Sequence, residues 1–244
     1  MSDPQVPQAN KFMAYFSELR KNLIHVVIFF TIVFICLAPF SKDIYVLLSE
    51  PLQNKLPENA HMIATDITAT FVAPIKLVFF VTLILLIPFI FYKIYSYLKS
   101  ALYIDEKKVF FIFLPASVVL FYVGIAIGYF FILPTVLGFF IQISPSTVIP
   151  MTDINQYLLF CIKFFLVLGS IFQLPLLIIV LIYFGIVDVQ TLKQKRVFVF
   201  IFCFFIAMFI TPPDILSMAV AGCFMYFLFE IGLFFADVFF NRKV

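Results

Sequence analysis

Six long apolar runs, separated by short polar or proline-rich segments, limit what this chain can fold into. They cover about residues 23–40, 71–92, 109–133, 157–183, 197–210 and 215–236. A helix needs about 20 apolar residues to cross a hydrocarbon core of about 30 Å. Inside that core only helices and closed barrels satisfy their own backbone polar groups. Hydrophobic residues make up 64% of the chain and charged ones only 12%, against about 25% charged in soluble domains. The expectation is an all-α membrane protein of six transmembrane helices, forming one polytopic membrane domain over residues 1–244.

The fifth run, Val197 to Ile210, has 14 residues, or about 21 Å at 1.5 Å per residue. Both the fifth and the sixth spans are read as short. They are joined by Thr211-Pro212-Pro213-Asp214, where two consecutive prolines end a helix. Asp214 follows the prolines and suits the N-cap of the sixth span. Pro88, Pro115 and Pro175 lie within spans and predict kinks. Gly124 and Gly128 make a GxxxG spacing in the third span, expected to be a close helix contact within the fold. The outer segment 41–70 carries Ile44, Tyr45, Val46, Leu47 and Leu48, enough apolar content for a structured cap.

Orientation follows from lysine and arginine. With the N-terminus inside, the inner segments hold twelve of them, from Lys11, Arg20 and Lys21 through Lys107 and Lys108 to Lys193, Lys195 and Arg196; the outer segments hold only Lys42 and Lys55. That asymmetry places both termini in the cytoplasm. Lys76 and Lys163 lie near the outer ends of spans two and four, where they can snorkel. The net charge of +3 carries no nucleic-acid signal. The first 22 residues are too polar for a signal peptide, and the first run is read as an uncleaved span. Cys36, Cys161, Cys203 and Cys223 form no metal or CxxC spacing and read as buried small hydrophobes.

No P-loop, HExxH or GxSxG is present, and His25 and His61 fall on opposite sides of the membrane. The chain is therefore not read as an enzyme, and no metal or cofactor is assigned. What remains is Glu18 before span one, Asp105 and Glu106 between spans two and three, and two polar groups inside spans, Gln173 and Glu230. Glu18 and Glu106 share one membrane face. They are either a solvated surface balanced by Arg20, Lys107 and Lys108, or a pair of carboxylates for a ligand with two guanidinium groups. The forked guanidinium fits a carboxylate through two hydrogen bonds, and an ammonium does not. Glu230 is either a helix-to-helix contact or a site. A small-molecule or ion transporter using Lys163, Gln173 and Glu230 as a polar path is the alternative class, although the two halves show no inverted repeat. A purely structural membrane scaffold is a third.

Phe16-Ser17-Glu18-Leu19-Arg20-Lys21-Asn22-Leu23 resembles the HLxELRxRL signature of the TatC family, the multispanning subunit of the twin-arginine protein translocase. Met62-Ile63-Ala64-Thr65-Asp66 and Pro74-Ile75-Lys76-Leu77 resemble its first outer loop and second span. Ala101-Leu102-Tyr103 with Glu106-Lys107-Lys108 resembles its first inner loop, and Leu120-Phe121-Tyr122 with Gly124 and Tyr129-Phe130 its third span. Thr211-Pro212-Pro213-Asp214 and Leu228-Phe229-Glu230-Ile231-Gly232 resemble its last outer turn and sixth span. The order and spacing of these motifs run along nearly the whole chain.

The resemblance implies recognition of twin-arginine signal peptides of folded cargo at the cytoplasmic face of the bacterial inner membrane. It implies transport driven by the proton motive force. Family carry-over puts signal contacts at Glu18, Leu19, Arg20, Tyr97 and Glu106, and a further candidate at the outer turn, Pro212, Pro213 and Asp214. Single-span partners of the TatA and TatB type are expected on spans five and six and near Gln173, within a larger complex containing several copies of this chain. Four positions depart from the family pattern. The signature histidine is replaced by Tyr15 or Phe16, Tyr97 stands where many members have phenylalanine, Gln173 stands where many have glutamate, and Met218 replaces a polar residue.

Overall fold

The computed structural model describes residues 8–54, 62–65, 68–98, 104–143, 151–210 and 215–240. The described residues are almost entirely helical. In chain order the elements are α1 (Gln8–Leu37), α2 (Ser41–Gln53), β1 (Met62–Ile63), α3 (Ala69–Leu98), α4 (Ile104–Ile127), α5 (Leu133–Ile143), β2 (Thr152–Asp153), α6 (Ile154–Ile171), α7 (Leu174–Tyr183), α8 (Val189–Gln194), α9 (Arg196–Ile210) and α10 (Ile215–Phe240). Among the described residues five stretches are long and apolar enough to cross a bilayer, and Arg196–Phe209 is a shorter apolar helix. The six-span expectation thus holds, with a short fifth helix.

The sixth helix is not short. α10 runs 26 residues, because it continues past the end of its neighbour. The 15 residues of α9 span about 22 Å, which the stretch Ile215–Glu230 of α10 matches. The rest of α10 runs on beside α8.

Pro88 and Pro115 lie inside helices that continue through them. The interruptions fall elsewhere. Between α4 and α5 the chain widens into a π turn at Gly128–Ile132, closed by the Leu133 N–H donating to the Gly128 carbonyl. Pro134 follows directly. It has no N–H for the Phe130 carbonyl, so the register slips by one residue there. The second break is at Phe172 and Gln173, and Pro175 sits in the first turn of α7, where a missing N–H costs nothing. α7 then ends at Gly185, whose φ of +66° suits a residue without a Cβ.

The chain packs as two units. One takes in residues up to Tyr45 and Pro74–Val118; the other takes in Val46–Ala73 and Val119–Val244. In the first, phenylalanines stitch α1 to α3: Phe29 meets Phe89 at 4.7 Å between ring centroids, and Phe30 meets Phe79 at 5.0 Å. In the second, α10 packs on α7 and α9. Its core holds Ile171, Phe172, Cys203, Ala207, Met225 and Leu228.

Glycines let these helices approach. A Cβ on Gly124 would lie 2.6 Å from the Phe172 ring, and one on Gly128 2.6 Å from a Leu168 methyl carbon. Gly169 in turn makes room for Phe121. The GxxxG spacing is an internal helix contact, as read from the sequence. All four cysteines are free. Cys161 and Cys203 are buried as expected, but Cys36 and Cys223 are exposed. Their positions in apolar runs reflect faces turned away from the protein core.

The described part of the outer segment is packed. Leu48, Ser49 and Leu52 of α2 are buried. The Tyr129 hydroxyl donates to the Leu47 carbonyl at 2.8 Å, and that of Tyr157 to the Leu48 carbonyl at 2.9 Å. The two outer loops join through a short parallel pairing of β1 and β2, Met62 with Thr152 and Ile63 with Asp153.

Candidate functional site

α1 presents the charged patch at its inner end. Glu18 is half-buried there, while Leu19 and Arg20 on the adjacent positions are exposed. Residues Leu19, Arg20, Leu23, Ile24, Val27 and Ile28 line an open furrow of about 610 Å³ along one side of the helix. Their spacing of three to four residues puts them on a single face. The furrow is apolar apart from the guanidinium at its mouth. Within the same patch the Asn22 side-chain nitrogen is buried and finds no acceptor among the described residues.

α1 and α3 run antiparallel, as the Phe29–Phe89 and Phe34–Phe79 contacts require. Continuing that register brings the Glu18 turn of α1 to the level of the last turns of α3. Tyr97 lies there, half-buried. Lys93 stands one turn earlier, its ammonium 5.3 Å from the Phe89 ring centre. The structure therefore gathers Glu18, Leu19, Arg20 and Tyr97 at one end of this unit. Glu106 falls in the first turn of α4, and its side chain lies outside the described set. The outer turn, Pro212, Pro213 and Asp214, also lies outside the described residues.

Glu230 has a defined structural partner. Arg196 Nη2 donates to its Oε2 at 3.0 Å and the Tyr226 hydroxyl to its Oε1 at 2.7 Å. Because Arg196 opens α9, the carboxylate is fixed at the inner end of the α9–α10 hairpin. Asp237, seven residues further along α10, pairs with Lys193 of α8 at 2.7 Å. The two pairs lie on one face of α10 and pin α8 and the start of α9 to it. Each oxygen of Glu230 thus carries a hydrogen bond from within the chain, which makes it a contact between α9 and α10. The sequence contains both pairs, but a separation of 34 or 44 residues gives no local sign of them.

Gln173 is half-buried at the break between α6 and α7 and makes no capping hydrogen bond with its side chain. Lys163 is exposed on α6.

The outer face holds a carboxylate that the sequence motifs do not single out. Asp153 is buried and caps α6, accepting from the Gln156 N–H at 2.9 Å. The Thr65 hydroxyl donates to it at 2.6 Å and the Thr65 N–H at 3.2 Å. These donors, the Thr65 hydroxyl first, hold its pKa below the ordinary carboxylate value. An Asp ahead of an apolar run and within reach of Gln156 was the available sign. Among the described residues no group of three or more histidine, cysteine, aspartate or glutamate side chains is arranged to hold a metal.

Known proteins resemble this chain in sequence and fold. A family model described as TatC, Sec-independent protein translocase protein, matches residues 14–223. A protein of Azotobacter chroococcum mcd 1 named Sec-independent protein translocase protein TatC is 39% identical over 232 residues, covering 95% of this chain and 91% of the relative. The Escherichia coli K12 protein of the same name is 39% identical over 231 residues, covering 95% and 90%. Two crystal structures titled as the twin arginine translocase receptor TatC superpose with TM-scores of 0.78 and 0.79. They are 27% and 28% identical, and the match covers 92% and 91% of this chain against 98% and 99% of theirs.

Proposed function

The chain belongs to the TatC family of Sec-independent protein translocase proteins, and on that premise we propose that it is the subunit receiving twin-arginine signal peptides of folded cargo. It is a multi-pass protein of the inner membrane and a component of a protein translocase complex. In the proposed mechanism Glu18 and Glu106 each take one guanidinium of the arginine pair. Leu19 and the furrow running from it to Ile28 take apolar signal residues, with Tyr97 supporting them. The proton motive force drives transport, and single-span subunits of the TatA and TatB type complete the complex.

The observation that carries this reading is the furrow itself. An exposed apolar stripe that starts at the inner end of α1, one helical step from a half-buried carboxylate, suits a peptide with paired cations followed by an apolar stretch. Carboxylate and guanidinium form charge-assisted hydrogen bonds in a forked geometry. Glu230, a contact between α9 and α10, is accounted for without the ion-transporter alternative.

The test is complementation. A bacterium lacking its own TatC gene is given this chain with the single-span subunits of its source. Restored export of a folded twin-arginine reporter is the expected result. Restored membrane insertion of the chain without export of the reporter would overturn the reading.

A further inference from the structure

Glu18, Asn22 and His25 make a polar stripe that descends α1 from its charged patch. They stand at i, i+4 and i+7, which confines them to an arc of about 60° on one side of the helix. Glu18 and Asn22 are half-buried and His25 is exposed. From Leu23 to Leu37 the only other polar side chain is Thr31, whose hydroxyl donates to the Val27 carbonyl at 2.9 Å. Thr31 is satisfied inside its own helix, and the stripe is not.

Two atoms of the stripe lack partners. His25 Nδ1 lies 2.6 Å from the Lys21 carbonyl. A carbonyl only accepts, so Nδ1 carries the hydrogen, and Nε2 of the neutral ring is a bare acceptor. No described residue donates to it. Lys93, at this level of α3 by the Phe29–Phe89 register, is turned over the Phe89 ring at 5.3 Å. Asn22 Nδ2 is buried and has no acceptor among the described residues. A buried donor without an acceptor is costly to keep. The last torsion of an asparagine is soft, so its amide turns readily toward an acceptor that arrives.

His25 is about 60° round the helix from Ile28, a furrow residue, so the stripe borders the furrow and a peptide laid along this flank meets both. From Glu18 to His25 is about 10.5 Å along the helix, or about three residues of extended peptide. We propose that His25 is a specificity-determining residue for the signal. With an arginine on Glu18, His25 Nε2 accepts a hydrogen bond from a polar side chain about three residues further on, and Asn22 Nδ2 donates to the peptide backbone between them. The proposal rests on the translocase reading and adds to it a second point of recognition, after the arginine pair. The stripe offers one acceptor and one donor at fixed separation, which matches a peptide and not an acyl chain.

The test uses the full chain in inner membranes carrying its native complex. Photo-crosslinking twin-arginine peptides carry serine at the second or the third residue after the pair, or leucine at both. The readout is the ratio of serine-peptide to leucine-peptide labelling, in which differences in membrane partitioning cancel between variants. For one of the two serine positions, His25→Leu should lower that ratio about three- to tenfold, the size of one net hydrogen bond. His25→Gln, which keeps an acceptor, should hold it within about twofold. Asn22→Leu should lower labelling by all the twin-arginine peptides about three- to tenfold, while the unliganded chain unfolds no earlier than the native one. A ratio indifferent to His25→Leu at both positions would overturn the proposal. So would Asn22→Leu that labels like the native chain, or that unfolds earlier, which is the mark of a purely structural amide. A twin-lysine peptide is run beside them. Arginine-dependent labelling of the native chain with any of those outcomes sinks the stripe alone, and its absence sinks the translocase reading.

Discussion

Arg196 reaches across the α9–α10 hairpin to Glu230 at 3.0 Å, joining the first residue of the short helix to the inner part of the long one. With Tyr226 on the other oxygen, the carboxylate acts as a fastener between helices. The side chains are 47% and 32% exposed, so the pair is a partly solvated one. Double-mutant cycles on such pairs give roughly 1 kcal/mol or less. Arg196→Ala and Glu230→Gln, alone and together, should show a coupling of that size in thermal unfolding in detergent. Exchanging the charges, Arg196→Glu with Glu230→Arg, should recover part of the loss. Additive effects of the single substitutions would remove the fastener.

Gly232 permits the tightest backbone approach between α10 and α7. A Cβ there would sit 2.7 Å from the Pro175 Cα, a backbone atom that cannot rotate away. Gly232→Ala should lower stability by about 1–3 kcal/mol, the usual range for overpacking. Gly138 in α5 has open space instead, with nothing within 4 Å of where a Cβ would sit. Gly138→Ala should be neutral or gain up to about 1 kcal/mol from reduced unfolded-chain freedom. Thermal unfolding of the two variants side by side checks the contrast.

Asp153 makes the outer cap sensitive to acid. Its pKa in the folded chain is held below the unfolded value of 3.8 by the Thr65 and Gln156 donors. The unfolded state therefore binds the proton more readily. The stabilisation is complete above the unfolded value and is lost as the pH falls through the lower, folded one. Amide protection around Thr65, taken as exchange relative to the intrinsic rate at the same pH, should be high at neutral pH and fall below about pH 4. Asp153→Asn should show low protection at both. Equal protection across that range in the native chain would contradict the assignment.

The spans were legible in the sequence because twenty-residue apolar runs have few physical alternatives in lipid. The GxxxG contact was legible for a related reason, since close helix approach needs small residues. Three features were not. The full length of α10 escaped because Asp237 looks like the end of the run at 215–236 until Lys193 is seen to pair with it. The π turn escaped because Pro134 announces a lost hydrogen bond, and nothing local says whether the chain kinks or slips. The β1–β2 pairing escaped because two-residue strands leave no periodicity. At the candidate site, the residue types were read from a motif. The furrow came only from folding, since it depends on which face of α1 the phenylalanines of α3 leave open.

The central claim is that Glu18 and Glu106 hold the arginine pair of the signal. A single hydrogen bond to a charged group contributes roughly 1.5–3 kcal/mol, or about ten- to a hundredfold in affinity. The direct measurement is photo-crosslinking of a twin-arginine peptide to membranes carrying the native chain, Glu18→Ala or Glu106→Gln, with a twin-lysine peptide as control. Each substitution should cut labelling at least tenfold, and the twin-lysine peptide should label the native chain as weakly as the twin-arginine peptide labels the variants. Undiminished labelling in both variants would contradict the clamp.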